Sequence, residues 1–552
     1  MSKTENNKDI VIARNEAIFL KRLLQKARLE RSRKVRNDVF LSWFLILFSF
    51  LSYSQEDIST LKGKELNNKV RLNFIPVSMP SDKFPQLKPT MGLAGLHYQV
   101  PFNDWLYGGA AFHFAVTGDQ GGLFTLGAEL GINKQLYKNL YLDANFHFGG
   151  GGGYRKYVND GAFINPNIGL QYKHNNYSVG VQYSYIDFFS GEIKDDAVSV
   201  FVEIPSVLRL TDYKNAHKKF IANNDSTDNF WQKPIVKNVQ QVRFDFFFPF
   251  GQSKKDNATE LKETLYVLGF EYQKYVNENT FLFAHTDAIY KGLRAGFMDL
   301  FFGAGYHPYQ SKYINLFTKF GIGAAGGRIA PEGGLTMYPS AGIDLKLANN
   351  FALSGHGGYY RALDGDFEAY TLGFGLKYFG LNGGTKTSSE ENISYFKTQA
   401  ITVSLENQTY FDVAKTDDPD DILAVDLQLL ALQFNYDITK NIYLIGEAGF
   451  AYGGRSGGYA HGLAGMGIKT NSFFNDKFYG FLDVVGGAAG GAGVDTDEGI
   501  VVRPTAGINY ELANNFSISV SGGKLYSPFG NVNSTNINVG LNFSFASLSA
   551  QK

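Results

Sequence analysis

The sequence has no cysteine, no excess of charge of either sign and, after its first 54 residues, no long apolar run. The lack of cysteine excludes disulfides, thiolate metal sites and a lipid-modified N-terminal cysteine. The 52 basic and 52 acidic residues cancel, so no strong field favours nucleic acid as a partner. Proline is scarce, with 15 in 552 residues, which argues against a proline-rich disordered chain.

Glycine and aromatic residues are abundant, with 62 Gly, 33 Tyr and 48 Phe. This composition is typical of a β protein. The mean hydropathy is -0.17. A membrane protein of such low hydropathy has to be a β-barrel, because only one face of each barrel strand is apolar.

The N-terminal region has the features of a signal peptide. Val39–Leu51 is apolar over 13 residues, and Lys34 and Arg36 precede it. Such a stretch is too short to span a membrane. We predict cleavage after Ser54, which makes Gln55 the first mature residue. Residues 1–37 are either an extended basic region or the product of a start codon assigned too early.

Three matched features recur along the chain. A proline followed by glycine three residues later opens an alternating segment that ends in Asn-Asn, and the prolines, 173 and 165 residues apart, are Pro166, Pro339 and Pro504. A glycine-rich run lies upstream of each proline, at Phe148–Gly153, Phe320–Gly327 and Val485–Gly491. Between run and proline lie Asp160-Gly161, Glu332-Gly333 and Glu498-Gly499. The chain is therefore a triplicated repeat.

Each repeat contains eight segments in which apolar and polar residues alternate. In the last segment one face carries Ile537, Val539, Leu541, Phe543 and Phe545, and the other carries Asn538, Gly540, Asn542 and Ser544. This period of two predicts strands with one apolar face. The connections are mostly short after even-numbered strands and longer after odd-numbered ones. Loops sorted in this way are typical of outer-membrane barrels, whose periplasmic turns are short.

Aromatic residues lie beside the short turns, at Trp105, Tyr141, Tyr313 and Tyr443, and Phe545 lies close to the chain's last residue. With the strand pattern, they make the chain resemble the outer-membrane β-barrel proteins of Gram-negative bacteria. Each repeat resembles a small eight-stranded barrel of the OmpA/OmpX type. The resemblance covers nearly the whole mature chain and implies a fold but no activity. It implies outer-membrane lipid, lipopolysaccharide and the barrel-assembly machinery as partners, and the outer membrane as the location.

We therefore expect an all-β transmembrane antiparallel β-barrel protein made of three tandem eight-stranded barrels, with one continuous 24-stranded barrel as the alternative. The connections between repeats are too long for periplasmic turns inside one barrel. A 24-stranded barrel would also leave a wide bore with no plug domain to fill it. The expected divisions are a leader at 1–54, a mature N-terminal segment at 55–68, module 1 at 69–206, a linker at 207–240, module 2 at 241–380, a linker at 381–399 and module 3 at 400–546.

The glycine runs have two interpretations. Glycine within a strand marks a bulge, a corner or a close backbone approach. The first interpretation is a kinked barrel wall near the outer rim. The second is that the barrels pack against each other along these smooth strips.

Two motifs that resemble catalytic or cofactor sites lack the required context. Gly454–Gly458 matches a nucleophile elbow, and Gly321, Gly323 and Gly326 match a dinucleotide fingerprint. Both motifs need a helix after the glycines, and none is predicted there. We expect no enzymatic activity and no cofactor.

Two sets of ionisable residues are candidate sites. Clustered carboxylates in two loops of module 3 are weak candidates for binding a hard cation, namely Asp417, Asp418, Asp420, Asp421, Asp495, Asp497 and Glu498. Strand alternation also points several ionisable side chains into the lumen, namely Glu203, His285, Asp287, Lys377 and Glu447. Buried charges need partners, so internal salt bridges are the simplest role for this second set, and a permeation path is the alternative.

The function expected from the sequence is structural, envelope-stabilising or surface-interacting. The alternative is a porin or channel for small solutes, and a lipid-modifying barrel enzyme ranks third. The sequence alone leaves the ligand, the partner and the oligomeric state open.

Overall fold

The computed structural model describes residues 56–221, 230–329, 333–348, 350–386, 393–416 and 422–551. Within these ranges the protein is built almost entirely of β-strands. No helix in the described part of the chain is long and apolar enough to cross a membrane. The leader and the predicted cleavage site at Ser54 and Gln55 lie outside the described residues.

Eight consecutive strands form module 1, after a short strand β1 at Glu56–Asp57 and a 3₁₀ turn at Ile58–Thr60. They are β2 Lys64–Ser78, β3 Thr90–Pro101, β4 Leu106–Thr117, β5 Phe124–Tyr137, β6 Leu140–Gly152, β7 Phe163–Lys173, β8 Ser178–Phe188 and β9 Lys194–Asp212. One α-helical turn, Arg155–Val158, follows β6. A 3₁₀ turn at Tyr213–Asn215 and the short strand β10 at Lys219–Ile221 follow module 1.

Sixteen further strands form modules 2 and 3. Module 2 consists of β11 Val236–Pro249, β12 Leu265–Tyr275, β13 Thr280–Lys291, β14 Met298–Gln310, β15 Ile314–Gly326, β16 Leu335–Ala348, β17 Phe351–Ala362 and β18 Glu368–Asn382. Module 3 consists of β19 Tyr395–Ala414, β20 Ala424–Asp437, β21 Ile442–Gly453, β22 Ala460–Lys469, β23 Phe478–Gly490, β24 Ile500–Ala513, β25 Phe516–Tyr526 and β26 Asn533–Gln551.

Every pair of neighbouring strands within a module is antiparallel, and the first strand of each module is also hydrogen-bonded to the eighth. In module 1, β2 pairs with β9 over eleven positions, from Lys64 opposite Leu210 to Phe74 opposite Val200. The corresponding pairs are β11 with β18 in module 2 and β19 with β26 in module 3. Ladders between modules are much shorter, for example Phe545 opposite Asp212 and Ala546 opposite Thr211.

The apolar face of the strands points outward. In β26, Ile537, Val539 and Leu541 are 46–52% exposed, whereas Asn536 and Asn538 are 2–3% exposed. A surface of exposed apolar side chains around a buried polar interior is the inverse of a soluble protein and suits a lipid environment. The predicted sidedness of the strands is confirmed.

The repeated prolines lie where the sixth strand of each module is locally unpaired with the seventh strand. In module 2, β16 pairs with β17 at Met337 and again at Ser340, but not at the two residues between. The same gap surrounds Pro166 and Pro504. Because proline has no N–H, it fits only where the ladder is interrupted.

Candidate functional site

The interior of each module is filled by side chains. At the end with the longer loops, each interior holds an apolar cluster, with Phe163 and Phe188 in module 1, Phe247 and Tyr360 in module 2, and Tyr410 and Tyr459 in module 3. Charged and amide side chains fill the space below these clusters. The described interior of each module is therefore occupied by packed side chains.

A buried arginine organises the polar part of module 1. Arg71 on β2 is 1% exposed and donates to Glu203 at 2.5 Å. Its guanidinium also lies 2.9 Å from Asp143 on β6. Gln182 donates to Asp143 at 2.9 Å, so several partners hold the buried charges, as burial requires.

Module 2 places its arginine among carboxylates and imidazoles. Arg243 on β11 donates to Asp245 and, at 3.3 Å, to Glu271. It also donates to Nδ1 of His285 at 2.8 Å. Lys319 on β15 donates to Glu271 at 2.6 Å.

Module 3 takes its arginine from a different strand. Arg503 on β24 donates to both carboxylate oxygens of Glu447, at 2.9 and 2.6 Å. Nε2 of His461 lies 2.8 Å from the same carboxylate. Below this group a cavity of about 30 Å³ is lined by polar side chains that include Glu406, Asp437 and Asp483. That volume is enough for a water molecule or a small ion.

All five lumen candidates lie inside the modules. Glu203, His285, Asp287, Lys377 and Glu447 are 0–6% exposed. Four of them have a charged side chain at hydrogen-bond distance. Lys377, for example, donates to Asp344 at 3.0 Å. Asp287 is the exception, because neither of its carboxylate oxygens has a hydrogen-bond partner in the described part of the chain.

The modules share interior positions but not interior residues. The position that His285 occupies on the third strand of module 2 is occupied by Glu447 in module 3 and by Ala111 in module 1. The residues opposite them on the fourth strand are Phe301 in module 2, Leu463 in module 3 and Gly127 in module 1. This is why a search for a repeated ionic motif in the sequence finds none.

The described acidic loop residues of module 3 do not converge on one point as a cation site requires. Asp417, Asp418, Asp420 and Asp421 lie outside the described residues. Asp495 accepts from Asn531 at 2.6 Å, and Glu498 accepts from the Gly292 N–H at 3.4 Å. Among the described residues, only His285, Asp287 and Asp299 bring three ligand atoms within 4.8 Å of one another. Asp495, Asp497 and Glu498 are therefore not brought together as a three-ligand group.

Two of the four aromatics expected at the interface do not belong to it. Trp105 and Tyr313 are 52% and 66% exposed. Tyr443 is instead buried inside module 3, where its hydroxyl donates to Asp483. Tyr141 is partly buried and has the same strand parity as the interior Asp143. Tyr443 and Tyr141 were therefore assigned to the wrong face, because nearness to a turn does not determine on which side of the strand a side chain lies.

The glycine runs lie where the modules meet. A Cβ at Gly150 in module 1 would be 2.6 Å from the carbonyl oxygen of Ala451 in module 3. A Cβ at Gly326 in module 2 would collide with Gly122 in module 1, and one at Gly490 in module 3 would collide with Ala295 in module 2. Each run thus packs on or beside the loop between the third and fourth strands of the preceding module, with module 3 taken as preceding module 1. The close-packing interpretation is therefore the one that the structure supports.

These receiving loops share a motif that the sequence analysis missed. They are Gly118–Gly122, Gly292–Gly296 and Gly454–Gly458, each with the form Gly-x-x-small-Gly. Their first and last glycines have φ between +86° and +133°. A backbone with positive φ favours glycine. The occurrence of these glycines at the same place in all three repeats is the sequence feature that could have revealed the motif. The apparent nucleophile Ser456 lies in one of these loops, where it is buried and its hydroxyl donates to the Gly454 carbonyl at 2.9 Å.

Backbone hydrogen bonds complete the contacts between modules. The Gly457 N–H donates to the Asn159 carbonyl at 2.7 Å, and the Ala295 N–H donates to the Asp497 carbonyl at 3.0 Å. The Asp160 carboxylate accepts from the Arg455 N–H at 2.6 Å. Each module therefore contacts its two neighbours through two different surfaces.

Apolar side chains from all three modules meet beside these contacts. The cluster contains Phe114, Phe124 and Leu126 from module 1, Ala324 from module 2 and Phe450 from module 3. The modules are thus joined by packing as well as by their linkers.

No protein-family model and no curated protein matches the chain. Solved structures that are similar include the ferric enterobactin receptor PfeA of Pseudomonas aeruginosa, at 7% identity and a TM-score of 0.27, covering 89% of this chain and 82% of the receptor. OpdQ of Pseudomonas aeruginosa is 8% identical with a TM-score of 0.19, covering 87% and 98%. A designed transmembrane β-barrel is 16% identical with a TM-score of 0.18, covering 27% and 98%.

At these identities the likenesses say nothing about activity, so the class of protein follows from the chain's own surfaces. Antiparallel strands with an apolar exterior and a buried polar interior satisfy all backbone groups while facing lipid. The chain has the fold and the surfaces of a transmembrane β-barrel protein.

Proposed function

We propose that the protein is a non-enzymatic outer-membrane scaffold made of three eight-stranded barrels that are packed in a ring and sealed by their own side chains. The observation that carries the proposal is the pairing of each module's first strand with its own eighth strand. A single 24-stranded barrel would need long ladders between successive modules instead. The proposed role of the protein is to hold three rigid barrels and their outer loops in one fixed array.

The filled interiors support a structural role over a porin. Arg71, Arg243 and Arg503 lie across the three interiors and are 0–3% exposed. A solute would have to displace a buried ion pair and an apolar cluster in any of the modules. Both steps are costly.

Planar-bilayer conductance tests this proposal. The purified mature chain is added to a lipid bilayer, with a known trimeric porin as positive control. We expect no stable conductance steps. Large, reproducible steps would overturn the sealed scaffold.

Disulfide crosslinking tests the number of barrels separately. Since the chain has no cysteine, a pair introduced at Val242 and Leu376, which face each other on β11 and β18, reports only that contact. We expect an intramodule disulfide in the folded protein. A control pair at Val242 and Val202, on the β11 and β9 strands that a single 24-stranded barrel would pair, should remain reduced.

Solute or ion passage through module 3 is the second candidate function. It is favoured by the polar cavity of about 30 Å³ that Glu406, Asp437 and Asp483 help to line. Conductance that appears in the wild-type chain and disappears when these carboxylates are replaced would support passage over the scaffold.

A further inference from the structure

The interior of module 2 buries more negative than positive charge. Four carboxylates surround two cations there, and all six residues are 0–5% exposed: Asp245, Glu271, Asp287, Asp299, Arg243 and Lys319. Lys377 and Asp344 form a separate pair at 2.9 Å. Two negative charges therefore lack a compensating charge when the histidines are neutral, and such an imbalance is costly inside a protein.

Three potential metal ligands converge within this group. The ligand atoms of His285, Asp287 and Asp299 all lie within 4.8 Å of one another. Nε2 of His285 is 3.8 Å from Oδ2 of Asp287, which is too far for a hydrogen bond. Oδ1 of Asp299 accepts from the Asp287 N–H at 2.9 Å, and Oδ2 accepts from the Tyr360 hydroxyl at 3.1 Å. The Asp299 carboxylate is thus held in place while its oxygens keep further lone pairs.

Three potential ligand atoms of this triad have no hydrogen-bond partner among the described residues. They are both carboxylate oxygens of Asp287 and Nε2 of His285, and both residues are 2% exposed. The Arg243 guanidinium is 3.6 Å from Oδ2 of Asp287, so it gives charge attraction without a hydrogen bond. A buried polar atom without a partner costs about 1–3 kcal/mol. The arrangement indicates a ligand between them.

From this geometry we propose that His285, Asp287 and Asp299 bind one divalent transition-metal ion of the zinc type inside module 2. One imidazole nitrogen and two carboxylates are a donor set that suits such an ion. Its two positive charges match the two uncompensated carboxylates. A purely oxygen-binding cation such as calcium would not use the imidazole.

The surroundings of His285 fit a metal ligand. Nδ1 lies 3.5 Å from Oε2 of Glu271 and 2.8 Å from Nη1 of Arg243. When Nε2 binds the metal, Nδ1 carries the hydrogen and donates it to Glu271, and Arg243 turns to its carboxylate partners. A carboxylate behind the ligating histidine is a common feature of metal sites. Since the site is enclosed, the ion enters while the barrel folds.

The test measures metal retained by the folded full-length mature chain. The chain is refolded from urea into detergent with zinc sulfate, desalted and analysed by elemental mass spectrometry, with a parallel sample refolded in EDTA. We expect about one zinc ion per chain, and loss of that ion in Asp287→Asn. The matched control is His113→Asn, which changes the equivalent third-strand position of module 1 and should keep the zinc.

A second readout reports the ligands. Cobalt substituted for zinc should give a visible absorption spectrum that changes in His285→Ala. Asp287→Asn is isosteric and removes a surplus negative charge, so the variant should fold, as heat-modifiable electrophoretic mobility will show. A folded wild-type chain that retains no zinc would overturn the proposal and assign the missing charge to bound protons. Equal zinc in wild type and Asp287→Asn would also overturn it. Neither result bears on the sealed scaffold, which conductance tests.

Discussion

Glu447 and Arg503 form the central ion pair of module 3. Glu447→Gln keeps the shape of the side chain but leaves the guanidinium with less negative charge around it. Removing one partner of a buried pair costs about 3–5 kcal/mol. We expect the urea unfolding midpoint, followed by electrophoretic mobility, to fall accordingly.

The double variant Glu447→Gln with Arg503→Met is the control for this prediction. Replacing both charged groups removes the uncompensated charge, so stability should return most of the way to wild type. A double variant that is less stable than Glu447→Gln alone would contradict the assignment of the cost to buried charge.

Gly150 tests the contact between modules 1 and 3. A valine there would place atoms against the carbonyl oxygens of Phe450 and Ala451, so Gly150→Val should push the two modules apart. Gly446→Val is the matched control, since a Cβ at this outward-facing strand glycine meets nothing within 4 Å.

Spin labels at Leu136 on module 1 and Phe474 on module 3, two exposed positions, allow the distance between these modules to be measured. We expect a longer or broader distance distribution for Gly150→Val and an unchanged one for Gly446→Val. The same distribution in both variants would show that the glycine is not needed for close packing.

The sequence predicted whether a residue lies inside or outside a module as far as the alternation of side chains along a strand determines it. Parity alone placed Glu203 and Lys377 in the interior, because side chains alternate strictly between faces. Their partners Arg71 and Asp344 were not predicted. Arg71 and Glu203 lie on the first and eighth strands, 132 positions apart, and Asp344 and Lys377 lie on strands separated by β17, so only the strand register brings each pair together.

At the scale of elements, the connection between modules 1 and 2 holds an ordered segment across module 3. The Tyr213 hydroxyl donates to Asp437 at 2.8 Å and accepts from Lys469 at 2.6 Å. Thr398 donates to the Asn215 carbonyl. Burial and the neighbouring Asp437 raise the pKa of Tyr213 well above its usual value, so the phenol stays protonated. The segment thus covers the end of module 3 that has short turns.

We expect Tyr213→Phe to loosen this segment. The variant keeps the ring but loses both hydrogen bonds, so amide hydrogen exchange within residues 211–221 should become faster by about fivefold to tenfold, as expected for one lost hydrogen-bond pair. Tyr177→Phe, in an exposed turn of module 1, is the control and should leave that exchange unchanged. Equal exchange in wild type and Tyr213→Phe would show that backbone contacts alone hold the segment.

The C-terminal segment is also part of an ordered element. The sequence analysis placed the end of module 3 at residue 546, but β26 continues to Gln551 and its last residues pair with the start of β19. Leu548 is 1% exposed in a cluster with Leu61 and Trp231. A tail of small and polar residues carries little apolar pattern, so its pairing was visible only in the fold.

At the scale of the whole molecule, the contacts between modules should hold the protein together without an intact chain. We expect that cleavage at a protease site inserted between Ile221 and Phe230 leaves module 1 bound to modules 2 and 3. The measurement is co-elution of the two fragments in mild detergent during size-exclusion chromatography. The same cleavage in a Gly150→Val background should release module 1 more readily. Separation of the fragments in the wild-type background would show that the linkers, not the packed surfaces, join the modules.

The sequence by itself determined the repeat, the strands and the apolar face of each strand, because the period of two and the repeats spaced 173 and 165 residues apart can be read from side-chain polarity along the chain. The tertiary structure decided which surfaces the modules share and which charges meet inside them. Both depend on backbone approach and strand register between residues more than a hundred positions apart, as with Gly150 against Ala451 and Arg71 against Glu203. No local pattern encodes such distances, since glycine marks a close approach without naming what approaches it.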